Sequence, residues 1–224
     1  MAGILFIISA PSGSGKSTLV SQLRTLVEGL DFSISYTTRA PRGSEEDGRE
    51  YHFVTRQEFE RMIAAGDFLE WAEVFGNYYG TAKSALGHAK DAGKDLLLDI
   101  DVQGAVQVMN KLPEAVSIFV MPPSPQILEM RLRHRTVAEE AASKAAIPEA
   151  VIQQRLAEAR HELKRMRDYK YALVNDVLEQ AVSELRAIVL CERGVRNGVK
   201  AVASSCRTDA ASPKLQAALR TFQE

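Results

Sequence analysis

The 224-residue sequence predicts an α/β protein: a doubly wound parallel sheet as the core, with a small mostly β insert and a helical lid. Two observations carry this. Residues 4–8, 96–100, 116–121 and 171–174 are short, nearly all-apolar runs separated by stretches of helical period, the pattern of parallel strands buried on both faces. The first run empties into residues 10–18, APSGSGKST, a glycine-rich turn that leads straight into a helical pattern.

Taken in order, the first helix is expected over residues 16–26. A second follows over 56–65, where Thr55 and Glu58 have capping-box spacing, Phe59, Met62 and Ile63 make an apolar stripe, and Gly66 closes the helix. Residues 103–110, 124–133 after the Pro122-Pro123 turn, 149–167 opened by Pro148, and 178–189 complete the helices. Residues 32–83 are rich in Tyr, Thr, Arg and Gly, with alternating stretches at 50–54 and 68–72, and are expected to form the mostly β insert. The polar, alanine-rich stretch 136–147 reads as an interruption between two arginine-bearing helical segments, part of a lid. Beyond about Arg193 the periodicity fades except at 214–222. The expected plan is therefore a core of 1–31, 84–130 and 168–193, an insert of 32–83, a lid of 131–167 and a peripheral extension of 194–224.

Composition limits the function classes. Lysine and arginine number 28 against 29 acidic residues, a formal net charge of −1, so no global field favours nucleic acid and an anion site must be built locally. Cys191 and Cys206 have neither a disulfide framework nor zinc-ligand spacing, which suits a reducing cytoplasm. No apolar run has the length of a membrane span, and the amino terminus lacks the marks of a signal peptide; no membrane or nucleic-acid partner is expected.

The glycine turn carries the chemistry. Small residues let the backbone N–H groups of Ser12, Gly13, Ser14 and Gly15 point inward at phosphate oxygens, Lys16 reaches the terminal phosphates, and the Ser17 hydroxyl, next to Thr18, suits Mg²⁺. This is a P-loop for ATP or GTP, with Ala10 where glycine is usual. The second core strand ends in LDID, and carboxylates at the carboxyl end of a parallel strand face the ligand crevice. Asp99 either orients Mg²⁺ through water or caps the next helix; Asp101 either accepts donors from a bound base or is that cap.

Ser35-Tyr36-Thr37-Thr38-Arg39-Ala40-Pro41-Arg42, Gly48-Arg49-Glu50-Tyr51, Phe68-Leu69-Glu70-Trp71 and Asn77-Tyr78-Tyr79-Gly80-Thr81 follow the P-loop in this order. Together with LDID they resemble the guanylate kinase family over roughly the first 190 residues. The resemblance implies phosphate transfer from ATP to GMP, and to dGMP since nothing obvious reads the 2′-hydroxyl, with Mg²⁺. It places the GMP phosphate at Ser35, Arg39, Arg42, Tyr51 and Tyr79, and the base at Glu70, Thr81 and Asp101. Guanidiniums and hydroxyls suit a phosphate clamp, and guanine offers N1–H and N2–H₂ to carboxylates and O6 to a hydroxyl. Arg131, Arg135 and Arg155 resemble lid arginines over the triphosphate, and Asn175 a residue near the ATP base. Lys16, Arg39, Arg135 and Arg155 would then stabilise the transferring group.

Without the resemblance, Glu70 reads equally as a solvated strand charge and the tyrosines as a small aromatic core. Arg133, Arg160, Arg165 and Arg167 read as a solvated helix face. Two rival functions are a non-catalytic protein-interaction domain and a P-loop kinase of another phosphorylated acceptor. The intact Lys16-Ser17 loop weighs against the first, and Glu70, Thr81 and Asp101 weigh against the second.

Overall fold

The computed structural model describes residues 3–143, 147–195, 197–210 and 212–223, with 138–143 described by backbone alone. In chain order the elements are β1 (Leu5–Ser9), α1 (Lys16–Leu26), β2 (Leu30–Phe32), β3 (Tyr36–Thr37), β4 (His52–Phe53), α2 (Arg56–Ala65), β5 (Phe68–Val74), β6 (Asn77–Ala82) and α3 (Lys83–Asp91). They continue with β7 (Asp95–Asp99), α4 (Val102–Lys111), β8 (Val116–Met121), α5 (Pro125–Ser143), α6 (Glu149–Leu163), β9 (Tyr171–Val174), α7 (Leu178–Glu192), α8 (Lys200–Ser205) and α9 (Pro213–Thr221). Among the described residues, no helix is long and apolar enough to cross a membrane.

The chain divides into two compact units, Met1–Ile7 with Gly29–Ala115, and Ile8–Glu28 with Val116–Glu224. In the first, β2 pairs in parallel with β7, Leu30 opposite Asp95 and Phe32 opposite Leu97, and β7 neighbours β1. The Asp95 carboxylate accepts from the Ile4 N–H at 2.6 Å, which ties the two strand starts together. A separate four-stranded sheet has the order β4-β3-β6-β5, with β6 antiparallel to both β3 and β5. The mostly β insert expected over 32–83 lies inside this unit. Helix α2 covers one face of its sheet, because Phe59, Met62 and Phe68 form an apolar cluster with Tyr36, Val54, Ile63 and Tyr78 around it. Thr55 caps α2 by accepting from the Glu58 N–H at 3.1 Å, and Gly66 ends it at φ 71°, as the sequence led us to expect.

In the second unit β8 pairs in parallel with β9, and β8 neighbours β1. Both strands are buried along their whole length, which their nearly all-apolar sequences foretell. Leu128 and Leu132 of α5 pack on Ile152, Leu156 and Ala159 of α6.

Four features depart from the sequence reading. Strand β2 and helix α3 were not foreseen: β2 has three residues, and α3 carries Gly87 and buries Ala89 alone, so neither has a strong period. Helix α5 runs on to Ser143 through much of the stretch expected to interrupt it; alanine and glutamate are strong helix formers, and polarity was mistaken for a break. Residues 144–146 of that stretch lie outside the described residues. Finally, 194–224 holds two helices and buries Ala203, Cys206, Leu215 and Ala218. Ser212 caps α9 ahead of Pro213, and Phe222 packs against the α5–α6 cluster.

Candidate active site

The P-loop lies in the second unit. Gly13 and Gly15 take φ of 88° and 82°, the left-handed region where glycine carries no side-chain penalty. Space forbids side chains there as well: a Cβ on Gly13 would stand 3.0 Å from Leu132 Cγ, and one on Gly15 2.4 Å from Asn175 Nδ2. Gly15 caps α1 with no side chain, so the helix's first N–H groups and the positive end of its dipole face outward from the loop, which suits an anion. Lys16 is the first residue of α1, with Ser17 and Thr18 exposed behind it.

Arg131, Arg135 and Asn175 gather at this loop. Asn175 Nδ2 donates to the Ser14 carbonyl at 2.8 Å, and Arg131 donates to the same carbonyl at 3.4 Å and to the Asn175 carbonyl at 3.1 Å. Arg135 Nη1 reaches Ser12 Oγ at 3.4 Å. Arg155 instead lies beside Thr136, Nη1 to Oγ1 3.5 Å. Asn175, expected near the nucleotide base, is 5% exposed and braces the loop backbone. Arg133, read as a solvated helix face, pairs with Glu129 and Glu149, each at 2.7 Å.

The remaining candidates lie in the first unit, and Tyr79, Thr81, Glu70, Tyr51 and Arg39 gather on the sheet face opposite α2. In β6, Tyr78 and Gly80 face α2 while Tyr79 and Thr81 face away, because side chains alternate along a strand. The aromatic-core reading is thus right for alternate tyrosines: Tyr78 stacks on Phe59 at 5.3 Å and Tyr36 meets Phe68 edge-on. Tyr79 and Tyr51 meet edge-to-face at 6.0 Å on the other side, with the Arg39 guanidinium 5.3 Å from the Tyr51 ring centre. Arg39 Nε is buried and makes no hydrogen bond.

Glu45 organises this cluster, and sequence reasoning missed it. It takes two hydrogen bonds from Arg39, Nη1 at 2.9 Å and Nη2 at 3.1 Å, and a third from the Arg42 N–H at 2.8 Å. Burial pushes both groups toward neutrality, but their bonds to one another prevail, holding Arg39 above and Glu45 below their ordinary pKa values. Its only signal in the sequence was a carboxylate six residues after one arginine and three after another. Ser35 is buried just before β3, its carbonyl taking the His52 N–H.

Glu70 owes its place to a β-bulge. Phe68 pairs with Ala82, but the register shifts so that Glu70 faces Thr81. Strict alternation would put Glu70 on the side of Phe68, against Phe59; the extra residue turns it to the side of Tyr79 and Thr81. Glu70 is 3% exposed, so it is no solvated strand charge. Burial, reinforced by the charge of Asp101, pushes its carboxyl up to about 7, against the opposing pull of Thr81 and Lys111. Asp101 is the cap of α4, Oδ1 accepting from the Gly104 N–H at 2.9 Å. That cap was the alternative open to Asp99, which ends β7 instead.

Among the described residues no group of three or more His, Cys, Asp or Glu could hold a metal ion. Ser17 and Asp99 supply oxygen donors, the kind Mg²⁺ takes alongside phosphate and water.

A sequence profile described as guanylate kinase matches residues 3–192. The chain is 52% identical over 233 residues to the guanylate kinase of Koribacter versatilis, covering 100% of this chain and 97% of that one. It is 49% identical over 191 residues to that of Nitrosospira multiformis, covering 85% and 87%. The crystal structure of guanylate kinase from Anaplasma phagocytophilum superposes with a TM-score of 0.69 at 33% identity, over 91% of this chain and 95% of that chain. A P-loop braced by Asn175 and a sheet face bearing Arg39, Tyr79, Thr81 and Glu70 agree with what these matches say together: this chain belongs to the guanylate kinase family.

Proposed function

We propose that the chain transfers the terminal phosphoryl group of ATP to GMP, giving ADP and GDP, and that it accepts dGMP as well. The reading rests above all on the juxtaposition of Glu70 with Thr81 on the sheet face that also carries Tyr79 and the Arg39–Glu45 pair. A carboxylate that accepts from N1–H and N2–H₂ beside a hydroxyl that donates to O6 fits guanine; adenine would set an acceptor against Glu70. Arg39, Arg42, Tyr51 and Tyr79, with Ser35, would take the acceptor phosphate. Arg39 Nε, buried and unbonded, is a donor suited to that anion.

On the donor side, the N–H groups of residues 12–15 would hold the β- and γ-phosphates. Lys16, Arg135 and Arg155 would offset charge on the transferring oxygens together with Arg39. Ser17 would hold Mg²⁺ directly and Asp99 through water, and the ion would add further charge neutralisation when bound. No side-chain nucleophile is needed, so catalysis is by positioning and by charge. The free thiols of Cys191 and Cys206 suit work in the cytoplasm.

The test is a coupled assay of the purified chain with Mg-ATP against GMP, dGMP, AMP, CMP and UMP. GDP and dGDP formation with little turnover of the others is expected. Binding of GMP without turnover would overturn the reading in favour of a non-catalytic interaction domain.

A further inference from the structure

Gly104 is the third residue of α4, a position where alanine is worth about 1 kcal/mol more helix stability than glycine. Its backbone also lies outside the left-handed region that calls for glycine. Propensity and torsion both favour a side chain, and space opposes one. A Cβ at Gly104 would stand 2.3 Å from Glu70 Oε2, 2.9 Å from Glu70 Cδ and 3.0 Å from Asp101 Oδ1. The two nearest atoms belong to the carboxylate proposed to read the base, and the third to the one that caps α4.

The helix has no room to retreat. Gln107 exchanges two hydrogen bonds with the Trp71 backbone, accepting from N–H at 3.4 Å and donating to the carbonyl at 2.6 Å. Lys111 donates to the Leu69 carbonyl at 2.6 Å. Positions 104, 107 and 111 share one face of α4, so this face is pinned to β5 on both sides of Glu70. An added methyl group would therefore displace the end of the Glu70 side chain and leave the backbone in place.

We propose that Gly104 is a specificity-determining position: by having no side chain it lets the Glu70 carboxylate sit over the first turn of α4, where it can meet the two donors of a guanine edge. The inference rests on the guanine reading of this site. Gly104 acts through Glu70, as a positioning residue.

The experiment compares wild type, Gly104→Ala, Glu70→Asp and the double variant in GMP and IMP kinetics and thermal melting. IMP lacks the 2-amino donor. Gly104→Ala is expected to raise KM for GMP about tenfold or more and to shrink the preference for GMP over IMP, with KM for ATP within about twofold and no fall in Tm. In Glu70→Asp, whose carboxyl is drawn back by one methylene, adding Gly104→Ala should raise KM far less. An unchanged KM for GMP in Gly104→Ala, or the same factor in both backgrounds, would overturn the proposal. So would a loss of fold in Gly104→Ala that Glu70→Ala fails to rescue. Wild type that makes no GDP removes the guanine reading and this inference together, whereas wild-type turnover with an indifferent Gly104→Ala removes this inference alone.

Discussion

Asn175 holds the carbonyl of Ser14 at 2.8 Å, and through it the direction of the next N–H. The peptide unit is planar and trans, so a carbonyl turned toward Asn175 aims the Gly15 N–H the opposite way. One buried amide thus presets a phosphate-facing donor. Asn175→Ala is expected to lower kcat/KM for ATP by about 10- to 100-fold, the worth of a buried hydrogen bond, with KM for GMP nearly unchanged. Asn175→Asp, which sets acceptor against acceptor, should be no better. Initial-rate kinetics in each substrate checks both.

Glu70 makes two opposite pH predictions. Its folded pKa of about 7 lies above the ordinary 4.5, so between those values the folded chain keeps a proton that the unfolded chain has released. Stability therefore falls as pH rises through that window, by on the order of 3 kcal/mol in all, and Glu70→Gln should abolish the slope in denaturant titrations. Guanine recognition needs the ionised carboxylate, so KM for GMP should fall as pH rises from about 6 to 8. The phosphate of GMP titrates near 6 as well, and the difference between the wild-type and Glu70→Gln profiles isolates the Glu70 contribution.

Glu45→Gln leaves Arg39 with half of its bidentate partner and removes one charge. We expect KM for GMP to rise about tenfold, with KM for ATP and the fold preserved. A variant that bound GMP more tightly would mean that Glu45 competes with the phosphate and does not position its clamp.

At the β5–β6 turn Phe75 is the one non-glycine with positive φ among the described residues, at 49°, followed by Gly76 at 77°. Its ring is half exposed, so little burial is at stake. Phe75→Asn should stabilise the chain by about 1 kcal/mol, since asparagine tolerates this region and suits such hairpins. Thermal melting decides, and activity should not change.

Where local chemistry dictates structure, the residues were legible. Gly13 and Gly15 had to supply left-handed torsions, Thr55 to cap α2 and Gly66 to end it, and the nearly all-apolar runs at 116–121 and 171–174 to be doubly buried strands. What stayed hidden depends on which contacts the fold selects, several of them remote in sequence. The bulge that turns Glu70 toward Thr81 is a property of β5 against β6, and the burial of Glu70 follows from it. Asn175 gave no sign of its partner 161 residues earlier. Asp99 and Asp101 were equivalent as candidate caps until the start of α4 separated them. Glu45 was one acid among several in a charged loop.

The carboxy-terminal segment touches β9 along its backbone: Arg207 bridges Tyr171 in antiparallel fashion, the Ala172 N–H donates to the Cys206 carbonyl at 2.7 Å, and the Thr208 N–H donates to the Lys170 carbonyl at 3.2 Å. Strand β9 is last in its sheet, and an uncovered last strand is a template for foreign chains. A chain cut at residue 193 would keep every residue proposed for catalysis while gaining a sticky rim. It should form soluble oligomers or precipitate, visible by light scattering, at concentrations where the full chain does not.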